Sequence, residues 1–190
     1  MKLAVASLAL PLLASAAPAS EPNANPAFSV MAVRSASPIH YLTLHAAGQK
    51  FWLGGETASY CPSQVPSCPP GNQTVFNPGG ASLDTMVPGG QQVYVDPNGA
   101  LSFTQAHSAS IPQGSSLGPF HYSADEPWAH YSFSGWGASG FMACPADDNR
   151  WQVFAALQNA TVPHGDVKEC LGFSALALTY TGEVPAWQYI

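Results

Sequence analysis

A chain of 190 residues that is 46 % hydrophobic and 8 % charged can bury a core in one domain and is not a disordered polypeptide. Its 5 Lys and Arg against 11 Asp and Glu give a formal net charge of −6, which leaves no basic stripe for phosphates and argues against a nucleic-acid partner. The 17 Gly and 18 Pro call for many tight turns, as in short strands joined by loops.

Lys2 precedes an apolar run over residues 3–13, and Ala14-Ser15-Ala16 closes it as a small-x-small site. Residues 1–16 therefore read as a secretory signal peptide. The run is too short to span a bilayer and nothing comparable follows, so no membrane association is expected after cleavage. The C-terminal residues 183–190 lack the apolar tail of a lipid-anchor signal. Residues 17–27, rich in Pro, Ala and Asn, read as a flexible lead-in, and residues 28–190 as the secreted domain.

Within that domain Phe28, Val30 and Ala32 alternate with Ser29, Met31 and Val33, the period of a strand. Residues 39–45 read as a second strand and residues 50–53 as a third, together a meander. Residues 54–82 are irregular, with short strands expected around Val75-Phe76 and residues 83–86. Gln91-Gln-Val-Tyr-Val95 and Ala100-Leu-Ser-Phe103 flank Asp96-Pro-Asn-Gly99, where Pro97 suits the second turn position and Gly99 the left-handed one. Residues 105–119 read as an exposed loop. Residues 120–123 and 129–133 flank Asp125-Glu-Pro-Trp128 as a further hairpin.

In the last third, Trp151, Val153, Ala155 and Leu157 share one face of a strand while Gln152 and Gln158 fall on the other, and Trp151 is expected in the core. Leu176, Leu178 and Tyr180 alternate with Ala175, Ala177 and Thr179 in a final strand. No window sustains a 3.6-residue apolar period. The fold expected is all-β, a single antiparallel β-sandwich or β-barrel domain with two disulfides.

Four cysteines in a secreted chain imply two disulfides and allow three pairings. The pairing expected is Cys61 with Cys68, closing a Pro-rich loop, and Cys144 with Cys170, clasping the last strands. A zinc site is disfavoured by the oxidising compartment and by the absence of a C-x-x-C pair. The sequons at Asn72 and Asn159 fit glycosylation on surface loops.

The search for chemistry returns little. His40 and His45 would point to opposite faces of one strand, so they do not share a metal. His121 and His130 around Asp125-Glu126 form a possible zinc or copper set, but a solvated turn is the simpler reading. The same holds for calcium at Asp147-Asp148-Asn149, which lacks the D-x-D-x-D-G pattern. Gly137-Ala-Ser139-Gly140 misses the spacing of a nucleophile elbow. Carboxylates are few and lie in turns, against a glycosidase pair. No catalytic residue, metal or cofactor is assigned. Trp128 and Trp136 sit in turn-like stretches and are the candidate carbohydrate contacts.

Residues 28–40, Gln91-Gln-Val-Tyr-Val-Asp96, Phe141-Met-Ala-Cys144-Pro and Cys170-Leu-Gly-Phe-Ser-Ala175 resemble, in this order, landmarks of the fungal secreted cell-wall proteins of the PhiA type. That group includes IgE-binding allergens and plant-defence elicitors. The resemblance implies an extracellular, glycosylated, all-β wall protein linked to conidial (phialide) development or stress protection, with no catalytic residues to carry over. The chain departs from the pattern at residues 54–90, at residues 105–136, and in a tail without the family's late cysteine. A secreted effector sensed by plant hosts is the alternative reading, and a carbohydrate-binding or polysaccharide-active protein the third. The partner implied is a wall polysaccharide or a host surface component.

Overall fold

Alternation in the first strand becomes the pleat of a curled sheet. In a computed structural model, which describes residues 25–125 and 127–190, β1 (Phe28–Val33) buries Phe28, Val30 and Ala32 and turns Ser29, Met31 and Val33 outward. The signal peptide expected at 1–16, the lead-in as far as residue 24, and Glu126 lie outside the described residues.

The strands that follow are β2 (Leu44–Ala47), β3 (Lys50–Leu53), β4 (Ser59–Tyr60), β5 (Ser82–Leu83), β6 (Gln91–Val95) and β7 (Leu101–Phe103). After them come β8 (Phe120–Ser123), β9 (Ala129–Phe133), β10 (Phe141–Pro145), β11 (Trp151–Ala155), β12 (Leu171–Thr179) and β13 (Gln188–Tyr189). Eleven of these form one antiparallel sheet in the order β5-β6-β7-β3-β11-β10-β12-β9-β8, with β1 added to β12 and β2 to β3. The sheet curls into a half-barrel, and Phe76 bridges its open side, pairing with Phe28 of β1 and with Leu83 of β5. β4 and β13 make a separate two-stranded piece.

The all-β expectation and both disulfides hold. Cys61 joins Cys68 and Cys144 joins Cys170, with Cα–Cα distances of 6.0 and 4.2 Å. The Asp96–Gly99 turn forms as the residue types require: the Gly99 N–H donates to the Asp96 carbonyl at 2.8 Å, and Gly99 takes φ 90°. The Asp96 carboxylate accepts from the Ala100 N–H at 3.0 Å and from Lys50 Nζ at 2.6 Å, so the hairpin is tied to β3.

Inside the curl the core is largely aromatic. Phe76 stands 5.4 Å from both Phe28 and Phe51, and Phe51 meets Phe103 edge-on at 5.4 Å. A second, smaller cluster of Ala100, Met142, Cys144 and Phe154 lies on the other face of β10 and β11, covered by Ala160, Val162 and Val167 from the loop that the Cys144–Cys170 bridge closes. This second cover buries Gln152, expected on the polar face, while Trp151 is half-buried at the rim of the main core.

The strand expected over residues 39–45 survives only in its last two residues. Residues 35–41 are turns, and the strand begins at Leu44. The Tyr41 N–H and the Ala32 carbonyl bond at 2.8 Å, Tyr41 takes φ 65°, and Ile39 is tucked fully into the core. The second half of the meander forms, with β2 paired to β3, but its first half does not: β1 touches this segment through the Met31–Thr43 bridge and the bonds of Ala32 to Tyr41 and Leu42, and finds its strand partner in β12. The opposite-face relation of His40 and His45 lapses because only His45 is in a strand: His40 stacks on Tyr41 at 3.7 Å in the turn, and His45, in β2 opposite Trp52, reaches the hydroxyls of Thr43 and Thr57 with its ring.

Candidate functional site

On β12 the small and large side chains divide in an unexpected direction. Ala175 and Ala177 face the aromatic core, while Leu176 and Leu178 face outward. The register explains it, because Ala175 lies opposite Tyr131 of β9, whose ring fills the interior. That ring is fully buried, its hydroxyl donates to the Gly80 carbonyl at 2.8 Å, and burial pushes the phenol pKa well up. A larger residue than alanine beside it would overpack the lumen.

The outward side chains meet in rows across three strands. Leu176 pairs with His130 on β9 and with Met31 on β1, and Ser174 pairs with Val33. Together Met31, Val33, Leu176 and Leu178 floor a groove of ≈320 Å³ edged by His130 and Ser174. His130 Nδ1 and the Ser174 hydroxyl bond at 3.0 Å across that edge. Trp128, just ahead of β9, and Tyr41, in the turn after β1, wall the groove from opposite sides of β12. Trp128 is 59 % exposed and Tyr41 63 %, whereas Leu176 beneath them is 8 % exposed. An apolar floor with two aromatic walls and a polar edge can hold a flat molecule that carries C–H faces and hydroxyls. Among the described residues, no carboxylate lines it.

Trp136, the second candidate contact, is in a different place. It stands in a 3-10 turn over Gly135–Gly137 and lines a groove with Asn159 and the Asp96–Gly99 turn. The two tryptophans are therefore not brought together. Tyr41 and the outward row of β1 and β12 were not singled out by sequence, although Met31 and Val33, apolar on the register that alternates with Phe28, Val30 and Ala32, were a signal that the outer face of β1 is not a simple polar surface.

The other sequence candidates are dispersed. His121 bonds the Ser134 hydroxyl at 2.8 Å, Ser123 bonds Asp125, and among the described residues no three His, Cys, Asp or Glu side chains gather as a metal set. Asp147 and Asp148 lie in an exposed 3-10 turn, where Asp147 meets His164 at 3.0 Å and Asp148 meets Arg150 at 3.7 Å. Ser139 is exposed in the turn before β10, and Asn72 and Asn159 are both exposed.

No solved structure matches the chain. A relative described as an uncharacterized secreted protein, from Arthroderma benhamiae, is 47 % identical over 195 residues that cover 97 % of each chain. The model of the PhiA-like secreted proteins matches residues 28–190, the whole of the β domain. With four landmarks in order, one curled sheet and a full-length match, the chain belongs to the PhiA-like secreted protein family.

Proposed function

We propose that this secreted protein acts at the fungal cell wall as a non-catalytic binding module that holds neutral wall polysaccharide on the Trp128–Tyr41 platform. One observation carries the reading: two exposed aromatic rings wall an apolar floor built from outward residues of β1 and β12. Pyranose rings present apolar C–H faces that stack on such rings, and their hydroxyls can bond to His130 and Ser174 at the edge. A chain with net charge −6 is unsuited to anionic polymers and compatible with neutral ones. The rigid sheet beneath supplies pre-organisation, which limits the entropy lost when a long ligand docks.

Co-sedimentation with insoluble chitin and with insoluble β-glucan tests the reading. The mature protein should pellet with at least one of them, and Trp128→Ala and Tyr41→Ala should each lower the bound fraction several-fold with the melting temperature unchanged. Equal retention of all three proteins, or no retention of the wild type, would remove the platform from the account. Release of reducing sugar during the same incubation would contradict the non-catalytic part.

A further inference from the structure

Trp136 has a separate use. It is 49 % exposed and holds a left-handed backbone, φ 55°, which non-glycine residues adopt at a cost and which keeps the indole at the surface. The groove it lines has a volume of ≈290 Å³, and Asn159, the acceptor of the sequon Asn159-Ala160-Thr161, lines the same groove. The acceptor's position is fixed by the fold. The Thr161 N–H donates to the Asn98 carbonyl at 2.9 Å, and the Ala155 N–H donates to the Gly99 carbonyl at 2.8 Å. Gly99 lets the two segments close up, since a β-carbon there would stand 3.1 Å from that of Ala160. Asn159 and Thr161 are both exposed.

We infer that Asn159 carries an N-linked glycan and that its first sugar lies in this groove against the Trp136 indole. The linkage forms when Asn159 Nδ2 gives up one proton and bonds to the anomeric carbon of an oligosaccharide carried on a lipid pyrophosphate. The sugar–oxygen bond to the pyrophosphate breaks, and the lipid pyrophosphate leaves with the bonding electrons. Once attached, the sugar meets the indole intramolecularly. A short tether gives an effective concentration of the order of millimolar, so the seat stays filled when stacking and the groove contacts together give a dissociation constant below about a millimolar. This divides the two exposed tryptophans: Trp128 faces an external ligand, and Trp136 faces a sugar the protein itself carries.

The full chain, secreted from a glycosylating yeast, is compared with Asn159→Gln and Thr161→Ala, both of which abolish the sequon. Glycopeptide mass spectrometry reads the modification, and hydroxyl-radical oxidation reads the exposure of each tryptophan, with Trp128 as the internal reference. The wild type should carry the glycan at Asn159 and oxidise at Trp136 several-fold more slowly than either variant. Trimming the glycan on the folded wild type to its first N-acetylglucosamine should preserve that protection, and complete removal should abolish it. This arm decides the question even where a variant fails to fold. A bare Asn159 in the wild type, equal Trp136 oxidation in all forms, or protection lost on trimming to one sugar would overturn the proposal. Shielding of Trp136 in Asn159→Gln by added chito-oligosaccharide, with no difference between the glycosylated and bare forms, would assign the groove to a free ligand instead.

Discussion

Removing one oxygen from the interior tests how this core is held. Tyr131 is fully buried, its ring stands 5.3 Å from Phe28, 5.2 Å from Phe76 and 5.3 Å from Phe141, and its hydroxyl donates to the Gly80 carbonyl at 2.8 Å. Gly80 takes φ 77°, and a β-carbon on it would run into the Tyr131 ring, so the two residues are fitted to each other. Tyr131→Phe keeps the ring and its stacking and takes away only the donor. The Gly80 carbonyl then loses its partner inside the curl, which costs about 1–3 kcal/mol. For a domain of this size each kcal/mol lowers Tm by about 2–4 °C, so a loss of about 2 kcal/mol would show as about 4–8 °C. Urea unfolding followed by tryptophan fluorescence, with the disulfides intact, reads the change as a shift in midpoint at constant slope. Tyr131→Ala also removes the ring and should lose a further few kcal/mol to the cavity. A Phe variant as stable as the wild type within about 0.3 kcal/mol would mean that the hydroxyl contributes nothing here, against the usual cost of orphaning a buried carbonyl.

The two disulfides should differ in weight. Chain entropy assigns about 3.5 kcal/mol to the bridge with sequence separation 26 and about 2.4 kcal/mol to the one with separation 7, so Cys144→Ala/Cys170→Ala should lower the urea midpoint more than Cys61→Ala/Cys68→Ala; the reverse order would refute the ranking. Cys144 is also fully buried against Met142 and Phe154, which adds lost packing to the larger effect. Burial lowers the His45 pKa below 6.5, opposed by a smaller upward pull from Glu56, so the native state holds the ring neutral at pH values where the unfolded chain protonates. That contribution is fully present above the unfolded pKa of about 6.5 and is lost as pH falls from there to the folded value; His45→Gln should flatten this part of the stability–pH curve, and an unchanged slope would contradict it. Burial raises the Asp84 pKa above 3.8, so Asp84 acts in the opposite sense, adding stability as pH falls through its raised value.

Much of the frame was legible because local pattern and tertiary pairing agree. The Phe28–Val30–Ala32 stripe, the Asp96-Pro-Asn-Gly turn and the Cys144–Cys170 clasp each specify a short-range geometry that the sheet then uses. Residues 39–45 misled because apolar residues after Pro38 look like a strand, whereas Ile39 enters the core from a turn and Tyr41 leaves it with positive φ. Gln152 and Trp151 misled for another reason: β11 is covered on both faces, so period two no longer separates buried from exposed. The platform was the least legible part. Side-chain bulk alone would place Leu176 and Leu178 inside and the alanines outside, and only the opposition of Ala175 to Tyr131 shows why the strand is turned the other way. Trp128 was visible as an exposed aromatic, but Tyr41, its counterpart across β12, comes from the very segment whose structure the sequence misrepresents.

Radical footprinting of the protein bound to insoluble wall polysaccharide tests the binding face most directly. Oxidation of Trp128 and Tyr41 should drop several-fold on binding, while the half-buried Trp52 of β3, held at 4.7 Å by the Arg150 guanidinium, three strands from β12 and outside the groove, should be unchanged. Protection spread evenly over all exposed aromatics, or centred away from Trp128 and Tyr41, would contradict the assignment of that face.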